Sequence, residues 1–160
     1  MANEIKSRIW LPSGEICVVN LLPDYYILPN FRVKELANNL ASDEIKFEIP
    51  GPQSWLFLRM LQCTRDHFGR TDLTSGYRTQ SFNNALEGAT KDSLHCYMLA
   101  ADPLLGSRTF DAWISWWKSC CQTFDQIGAI GLYHNPDRLH IEIGSDWRYK
   151  AKKFEVRDHR

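Results

Sequence analysis

Turns that contain proline or glycine divide this chain into short segments with two different periodicities. Residues 5–20 predict an N-terminal hairpin, because two apolar stretches flank a Pro-Ser-Gly turn. Residues 129–133 and 139–144 are typical of strands joined by the turn sequence HNPDR. Residues 52–68 and 107–121 instead carry apolar side chains at the three- and four-residue spacing of an amphipathic helix. Hairpins and separate helices in this arrangement predict an α+β fold rather than an alternating βαβ fold.

The same turn residues predict several boundaries. Ser107 is the expected N-cap of the later helix, and Pro52 fits the first turn of the earlier one. Residues 31–40 and 79–88 predict shorter helices, and residues 44–51 predict an edge strand that stops at proline and glycine. The basic C-terminal segment, residues 148–160, is interpreted as a solvated end piece without a role in a site.

The size and charge of the chain exclude several classes of protein. Its 160 residues fit a single domain over residues 1–160, in which residues 1–30 form a hairpin extension. The 19 basic and 19 acidic side chains cancel, so no overall field favours nucleic acid or an anionic membrane. No apolar run is long enough to predict a membrane span. The first residues lack the basic and apolar segments of a signal peptide, so synthesis in the cytoplasm is expected. Five cysteines without a CxxC pair indicate reduced, small hydrophobic side chains.

One segment, SLHCYMLAADP, contains a histidine and an aspartate at a spacing that no regular element can turn into a metal site. Pro103 disfavours a helical residue before it, so Asp102 is expected to end a strand. In a continuous strand His95 and Asp102 would face opposite sides, roughly 23 Å apart, and on a helix they would stand roughly 10 Å apart along the axis. Both side chains could bind one ion only if the chain turned between them. On these two residues alone, a core histidine and a strand-end aspartate without a metal are the more common arrangement.

The residues around this segment form an ordered set of motifs. They are Ser75-Gly76-Tyr77-Arg78, Asn83, Gly88-Ala89, Ser93-Leu94-His95, Ala100-Ala101-Asp102, and residues 128–144 with His140. Over a region from Phe31 to Trp147, this set resembles the zinc peptidases that include D-alanyl-D-alanine carboxypeptidases and phage L-alanyl-D-glutamate endolysins. Two positions depart from that family's pattern, since Met98 stands where a glycine is common and Glu87-Gly88 replaces a doubled glycine.

The resemblance implies one Zn²⁺ ion held by His95, Asp102 and His140. It also implies a small antiparallel sheet flanked by helices, with the zinc site on the sheet, as in the fold of hedgehog and of D-Ala-D-Ala peptidases. Two neutral imidazoles and one carboxylate would leave such a site positively charged, which polarises a carbonyl and lowers the pKa of a water molecule. Without the resemblance, His140 would be interpreted as a strand histidine with a hydrogen-bonded ring.

A general base is the next requirement of peptide hydrolysis. Asp137, three residues before His140, resembles the Asp-x-x-His base of several family members, while a turn aspartate after Pro136 is an equally open interpretation. Glu142 shares the strand parity of His140, so it is expected to orient that ligand and is a second candidate base. His134 is a third candidate.

Other residues are assigned by the resemblance to substrate binding. Arg78 resembles the arginine that stabilises the developing oxyanion or binds a substrate carboxylate. Ser93 and Tyr77 are expected beside the substrate or behind a metal ligand.

The function implied by the resemblance is zinc-dependent hydrolysis of peptide bonds in peptidoglycan stem peptides by a monomer. The D,D-carboxypeptidase, L-Ala-D-Glu endopeptidase and D,D-endopeptidase activities all remain open. The expected setting is phage lysis or cell-wall remodelling, with action on the wall after release from the cytoplasm or from a virion. Two other hypotheses are an inactive zinc-containing binding module or virion component of the same fold, and an interaction domain without metal.

Overall fold

A computed structural model describes residues 4–37, 47–144 and 153–160, and within them the chain forms ten strands, four α-helices and one 3₁₀ helix. The strands are β1 (Ile5–Trp10), β2 (Ile16–Leu21), β3 (Tyr26–Leu28), β4 (Phe31–Arg32), β5 (Phe47–Ile49), β6 (Leu73–Ser75), β7 (Ala100–Pro103), β8 (Ile127–His134), β9 (Asp137–Gly144) and β10 (Glu155–His159). The helices are α1 (Val33–Leu36), α2 (Pro52–Phe68), α3 (Gln80–Ala85) and α4 (Phe110–Thr123), and the 3₁₀ helix is Leu94–Tyr97. The predicted α+β class is confirmed.

A five-stranded sheet in the order β10-β8-β9-β7-β6 forms the centre of the fold. β8 and β9 are an antiparallel hairpin in which Gly131 lies opposite His140. β7 pairs antiparallel with the other side of β9, and Ala100 lies opposite Glu142. Because alternate residues of a strand share a face, His140, Glu142 and Asp102 all project from the same face of this sheet.

The C-terminal strand corrects one prediction. Residues 155–159 were expected in a solvated end piece, but they form β10, which pairs in parallel with β8 and places Arg157 opposite Gly131. The central sheet is therefore mixed rather than purely antiparallel. Residues 148–152 of the same predicted end piece lie outside the described residues.

A smaller sheet, in the order β2-β1-β5, lies at the N-terminal end of the chain. β1 and β2 pair antiparallel where the hairpin is predicted, and Ile5 and Ile9 of β1 are buried in the core. β5 runs parallel to β1 and lies at the edge of this sheet. Residues 44–46 of the predicted edge strand lie outside the described residues.

The two long helices pack against each other and anchor the strand that carries His140. Phe57 of α2 meets Trp117 of α4 edge to face, with ring centroids 6.0 Å apart. Trp113 and Trp117 are fully buried on the inner face of α4. The Trp117 indole Nε1–H donates to the carbonyl of Glu142 at 3.3 Å, so α4 is bonded directly to β9.

The helix boundaries depart from prediction in three places. The helix predicted over residues 79–88 is observed as Gln80–Ala85, so it ends before Gly88. Thr109, not Ser107, caps α4, since the Thr109 hydroxyl accepts the backbone N–H of Ala112 at 3.2 Å. The predicted helix over residues 31–40 is reduced to the single turn α1, because Phe31–Arg32 pair as β4 instead. Residues 38–40 lie outside the described residues. Pro52 is the first residue of α2, as predicted.

Every helix of the described residues falls short of the length and apolarity needed to cross a bilayer. All five cysteines are unpaired. Burial raises the pKa of Cys120 and of Cys121 to about 12, so both thiols stay protonated at neutral pH and pack as small apolar groups.

Candidate metal centre

A tight turn brings the side chains of His95 and Asp102 together. His95 lies in the 3₁₀ helix, and Met98 follows in the left-handed conformation with φ 51° and ψ 44°. The chain then reverses into β7, which carries Asp102. His95 Nε2 stands 3.3 Å from Asp102 Oδ1 as a result. Met98 occupies the position where the resembled family commonly has glycine, and its positive φ explains that preference.

The third side chain of the site comes from β9. His140 Nδ1 lies 2.7 Å from Asp102 Oδ1 and 3.3 Å from His95 Nε2. Ligand atoms about 2.0–2.1 Å from a tetrahedral zinc ion stand roughly 3.3 Å from one another. The three atoms already have nearly these separations, so His95, Asp102 and His140 could hold one metal ion.

Hydrogen bonds behind the two imidazoles direct one ring nitrogen of each to the same point. His95 Nδ1–H donates to the carbonyl oxygen of Gly76 at 2.7 Å, which leaves the Nε2 lone pair facing Asp102. His140 Nε2–H donates to Glu142 Oε2 at 2.9 Å, which leaves Nδ1 on the metal side. Such partners fix the tautomer and the ring orientation of metal-binding histidines.

Gly76 occupies a position that has no room for a side chain. A Cβ atom there would lie 2.3 Å from the carbonyl oxygen of Leu36, the last residue of α1. The same oxygen accepts the backbone N–H of Tyr77 at 2.6 Å. The glycine therefore lets β6 approach α1 closely, and this contact positions the carbonyl that orients His95.

Arg78 holds the Asp102 oxygen that faces away from the two histidines. Arg78 Nη2 donates to Asp102 Oδ2 at 3.1 Å, and Arg78 Nε donates to Ser75 Oγ at 2.9 Å. Its side chain is only 18% exposed, so this ion pair belongs to the site rather than to the surface. The sequence predicts a substrate contact for Arg78, and the structure adds this contact to Asp102.

The contacts within the site set its protonation. Burial opposes ionisation of Asp102, but hydrogen bonds and charges from His140 and His95 hold the pKa of its carboxyl well below its usual range. Burial lowers the pKa of His95, so that ring is neutral at neutral pH. Burial also disfavours charge on His140, yet hydrogen bonds to Asp102 and Glu142 and their negative charges raise its pKa to about 9. The metal-free site therefore keeps a proton on His140 Nδ1 that must leave when an ion binds there.

Sequence reasoning missed Arg157, which lies beside Glu142. Arg157 Nη1 donates to Glu142 Oε1 at 2.9 Å, and the side chain lines the pocket above the three candidate ligands. The signal in the sequence is the alternation of Glu155, Arg157 and His159, which puts all three side chains on one face of a strand.

The remaining predicted residues lie at different distances from the centre. Ser93 lines the pocket and immediately precedes the 3₁₀ helix that carries His95. Tyr77 packs its ring in the core, edge-on to Phe47 with centroids 6.1 Å apart, and its backbone N–H bonds to the Leu36 carbonyl. Burial raises the pKa of the Tyr77 hydroxyl far above its ordinary value.

The candidate bases other than Glu142 lie away from the three clustered atoms. Asp137 is exposed at the first residue of β9. In an extended strand the third residue from His140 lies on the opposite face, roughly 10 Å along the chain. His134 is paired with Asp158 of β10, with Nε2 2.5 Å from Oδ1. The structure therefore brings Glu142, and not Asp137 or His134, into contact with the candidate ligands.

An open pocket of about 800 Å³ lies over the site. The residues that line it include the loop of residues 86–90 and Tyr133, Arg138 and His159. The Tyr133 ring stacks on His159 at 4.6 Å, and the Arg138 guanidinium lies 4.6 Å from its centroid. The pocket lining thus combines this loop with aromatic and cationic side chains.

Comparison with known proteins gives one match. The sequence model of the family described as Peptidase M15 matches residues 29–142, more than two thirds of the chain. This region includes all three candidate metal ligands, Arg78 and Glu142, and it excludes β10. Searches of curated proteins and of solved structures gave no match.

Proposed function

Because this chain belongs to the peptidase M15 family, we propose that it hydrolyses peptide bonds of peptidoglycan stem peptides with one zinc ion held by His95, Asp102 and His140. We further propose that the central sheet belongs to the hedgehog and D-Ala-D-Ala peptidase type of fold. The proposed setting is phage lysis or cell-wall remodelling by a monomer. Stem peptides carry free carboxylates, which suit a pocket lined by Arg78, Arg138 and Arg157.

The observation that supports this proposal best is the convergence of three ligand atoms from distant parts of the chain. Three protein ligands leave one position of a tetrahedral ion open for water or substrate, which is the pattern of catalytic rather than structural zinc sites. Zinc bound here would act as a Lewis acid on the scissile carbonyl and lower the pKa of a water molecule.

The chain's own side chains would orient the substrate and stabilise charge. Arg78 lines the pocket next to Asp102, and its guanidinium offers a fixed fork of donors for an oxyanion or a substrate carboxylate. Ser93, which also lines this pocket, would contact the substrate. Arg138 and His159 would bind the part of the peptide farther from the reacting bond.

Two carboxylates compete for the role of general base. The resemblance assigns Asp137, and Glu142 is the second candidate, although its bond to His140 Nε2 fits an orienting role behind that ring. The two assignments predict different results for the Asp137→Ala variant. If Asp137 is the base, this variant should keep zinc and lose turnover by about 10²–10⁴-fold. Glu142→Gln should weaken zinc binding in either case, because it removes an anionic acceptor from His140.

Purified muropeptides incubated with the protein, with and without a chelator, test the proposal directly. Mass spectrometry of the products should show a chelator-sensitive cleavage and identify the bond, which separates carboxypeptidase from endopeptidase activity. Unchanged muropeptides in the presence of zinc-loaded protein would contradict the enzymatic function.

A second candidate function is a zinc-containing module that binds cell-wall peptides, or serves in a virion, without cutting them. The position of Asp137 at the first residue of β9, on the opposite strand face from His140, favours it, since a base must reach the water from which it takes a proton. Binding of muropeptides that stay intact, together with one zinc per chain, would support this function over the first.

A further inference from the structure

Arg157 reaches the candidate metal centre across a part of the sheet with little side-chain bulk. It stands on β10 opposite Gly131 of β8, whereas Glu142 lies beyond β8 on β9. The β8 residue opposite Glu142 is Ala129, so only a methyl group and a glycine lie under the path of the arginine. A Cβ atom at Gly131 would lie 3.4 Å from the Cβ of His140, which shows how closely the strand surface is filled there.

The guanidinium of Arg157 is held from two sides. Its Nε and Nη2 both donate to Glu155 Oε2, at 3.2 Å and 3.1 Å. Its Nη1 donates to Glu142 Oε1 at 2.9 Å. The Glu142 side chain is 9% exposed and the Arg157 side chain is 38% exposed, so the carboxylate is shielded from water and the guanidinium only in part.

The contact with Arg157 sets the direction of the Glu142 carboxylate. With Oε1 bonded to the guanidinium, Oε2 points to His140 Nε2 at 2.9 Å. That second bond turns the His140 ring so that Nδ1 faces Asp102 and His95. The orientation of one candidate ligand thus depends on a side chain two hydrogen bonds away.

We propose that Arg157 is a positioning residue of the metal centre, which holds Glu142 so that Glu142 orients His140 toward the ion. This inference rests on the zinc site of the proposed function. β10 lies outside the residues that match the peptidase family, so the C-terminal strand adds an element of the site that the family match does not supply.

A purely structural role for Arg157, the attachment of β10 to the sheet, makes a different prediction. An arginine that only attaches β10 would affect zinc binding equally with or without the Glu142 carboxylate. An arginine that acts through Glu142 would lose its effect once that carboxylate is replaced. A double-mutant cycle on zinc affinity separates the two roles.

The experiment measures the zinc Kd of the full chain by competition with a chromophoric chelator. We expect Arg157→Gln to weaken zinc binding about tenfold and Glu142→Gln about 10–100-fold. In the Glu142→Gln background, the Arg157 substitution should change the Kd by less than about twofold. Arg157→Lys keeps a positive charge near Glu142 but loses the fork of donors that also binds Glu155, so it should recover the affinity only in part.

Arg160→Gln is the matched control, because it removes one positive charge from the same segment. Arg160 bonds to Asp158 at 3.0 Å and its side chain is 84% exposed. The zinc Kd of the Arg160→Gln variant should therefore equal that of the unmodified protein. Glu155→Gln gives an independent test that leaves Arg157 in place and is expected to weaken binding about threefold. It decides the question if Arg157→Gln fails to fold.

The outcomes separate this inference from the proposed function. If the unmodified protein binds no zinc, the proposed function fails and the inference with it. If it binds zinc and Arg157→Gln binds equally well, the positioning role is overturned and the zinc site stands. An Arg157→Gln effect that persists in the Glu142→Gln background would also overturn it, since the arginine would then act on the fold alone.

Discussion

Replacing Gly76 with alanine should weaken the fold through a clash between backbone segments. The new Cβ would lie 2.3 Å from the Leu36 carbonyl oxygen and 3.0 Å from its carbon. No side-chain rotation can relieve these contacts, so the segment around Gly76 must move away from α1. Overpacking of this kind costs about 1–3 kcal/mol. Loss of the 2.6 Å hydrogen bond from Tyr77 N–H to Leu36 adds about 1 kcal/mol, so we expect a loss of about 2–4 kcal/mol in total.

The same movement should weaken zinc binding. The Gly76 carbonyl accepts the Nδ1–H of His95 at 2.7 Å, and displacement of this oxygen would let the ring turn. Loss of an orienting partner typically costs 10–100-fold in metal affinity, and we expect Gly76→Ala to fall in that range.

Urea unfolding of the metal-free protein and zinc competition measure the two effects separately. Gly51→Ala is the matched control, since Gly51 has extended backbone and a Cβ there would meet no atom within 4 Å. Because Gly51 is the residue before α2, its replacement by alanine should lower the free energy of unfolding by less than about 1 kcal/mol and leave zinc affinity unchanged. The steric explanation is refuted if Gly76→Ala and Gly51→Ala behave alike in both assays.

Three further predictions concern the turn and the protons of the site. Met98→Gly should relieve about 1–2 kcal/mol of left-handed strain but remove a fully buried side chain that contributes about 2–5 kcal/mol, so urea unfolding should show a net loss. A more stable variant would contradict this balance. The folded-state pKa of His140, about 9, exceeds its ordinary 6.5, so its stabilisation is complete below pH 6.5 and lost as pH rises through 9. The free energy of unfolding of the metal-free protein should fall by up to roughly 3 kcal/mol over that pH window. His140→Gln should flatten this dependence of stability on pH. An unchanged slope in the variant would rule His140 out as the cause. Zinc binding near pH 7.5 should release about one proton from His140, and titration calorimetry in buffers of different ionisation enthalpy measures it. A release that does not fall as the pH is raised through 9 would point to another group.

The sequence indicates which residues form the candidate site better than it indicates how the chain folds around them. The spacing of His95 and Asp102 shows that a turn must separate them if they share an ion, and the turn lies at Met98. Spacing could not locate it, because methionine rarely adopts the left-handed conformation and only tertiary packing holds it there. The ligand set came from the resemblance, and His140 taken alone predicts no metal. The catalytic roles of Arg78 and Asp137 stay predictions.

Other misses have physical causes of the same kind. The alternation in the C-terminal segment covers only five residues, and pairing with β8 rather than local propensity makes it a strand. Ser107 and Thr109 are both good N-caps, and sequence does not show which of them has the backbone geometry to accept the first free N–H. Arg157 was missed because its role depends on that strand pairing, which places it across from Gly131.

The polar side chains that cross the central sheet alternate in charge, from Glu155 through Arg157, Glu142 and the protonated His140 to Asp102 and Arg78. Glu142 and Asp102 each lie between two cations, and Glu155 contacts Arg157, so the charges across the centre are balanced before any metal binds. Zinc would then bind at a preorganised site. Its association rate should depend on the release of the proton of His140 rather than on ordering of the chain. In this respect the protein would differ from small domains that acquire their structure only when metal arrives.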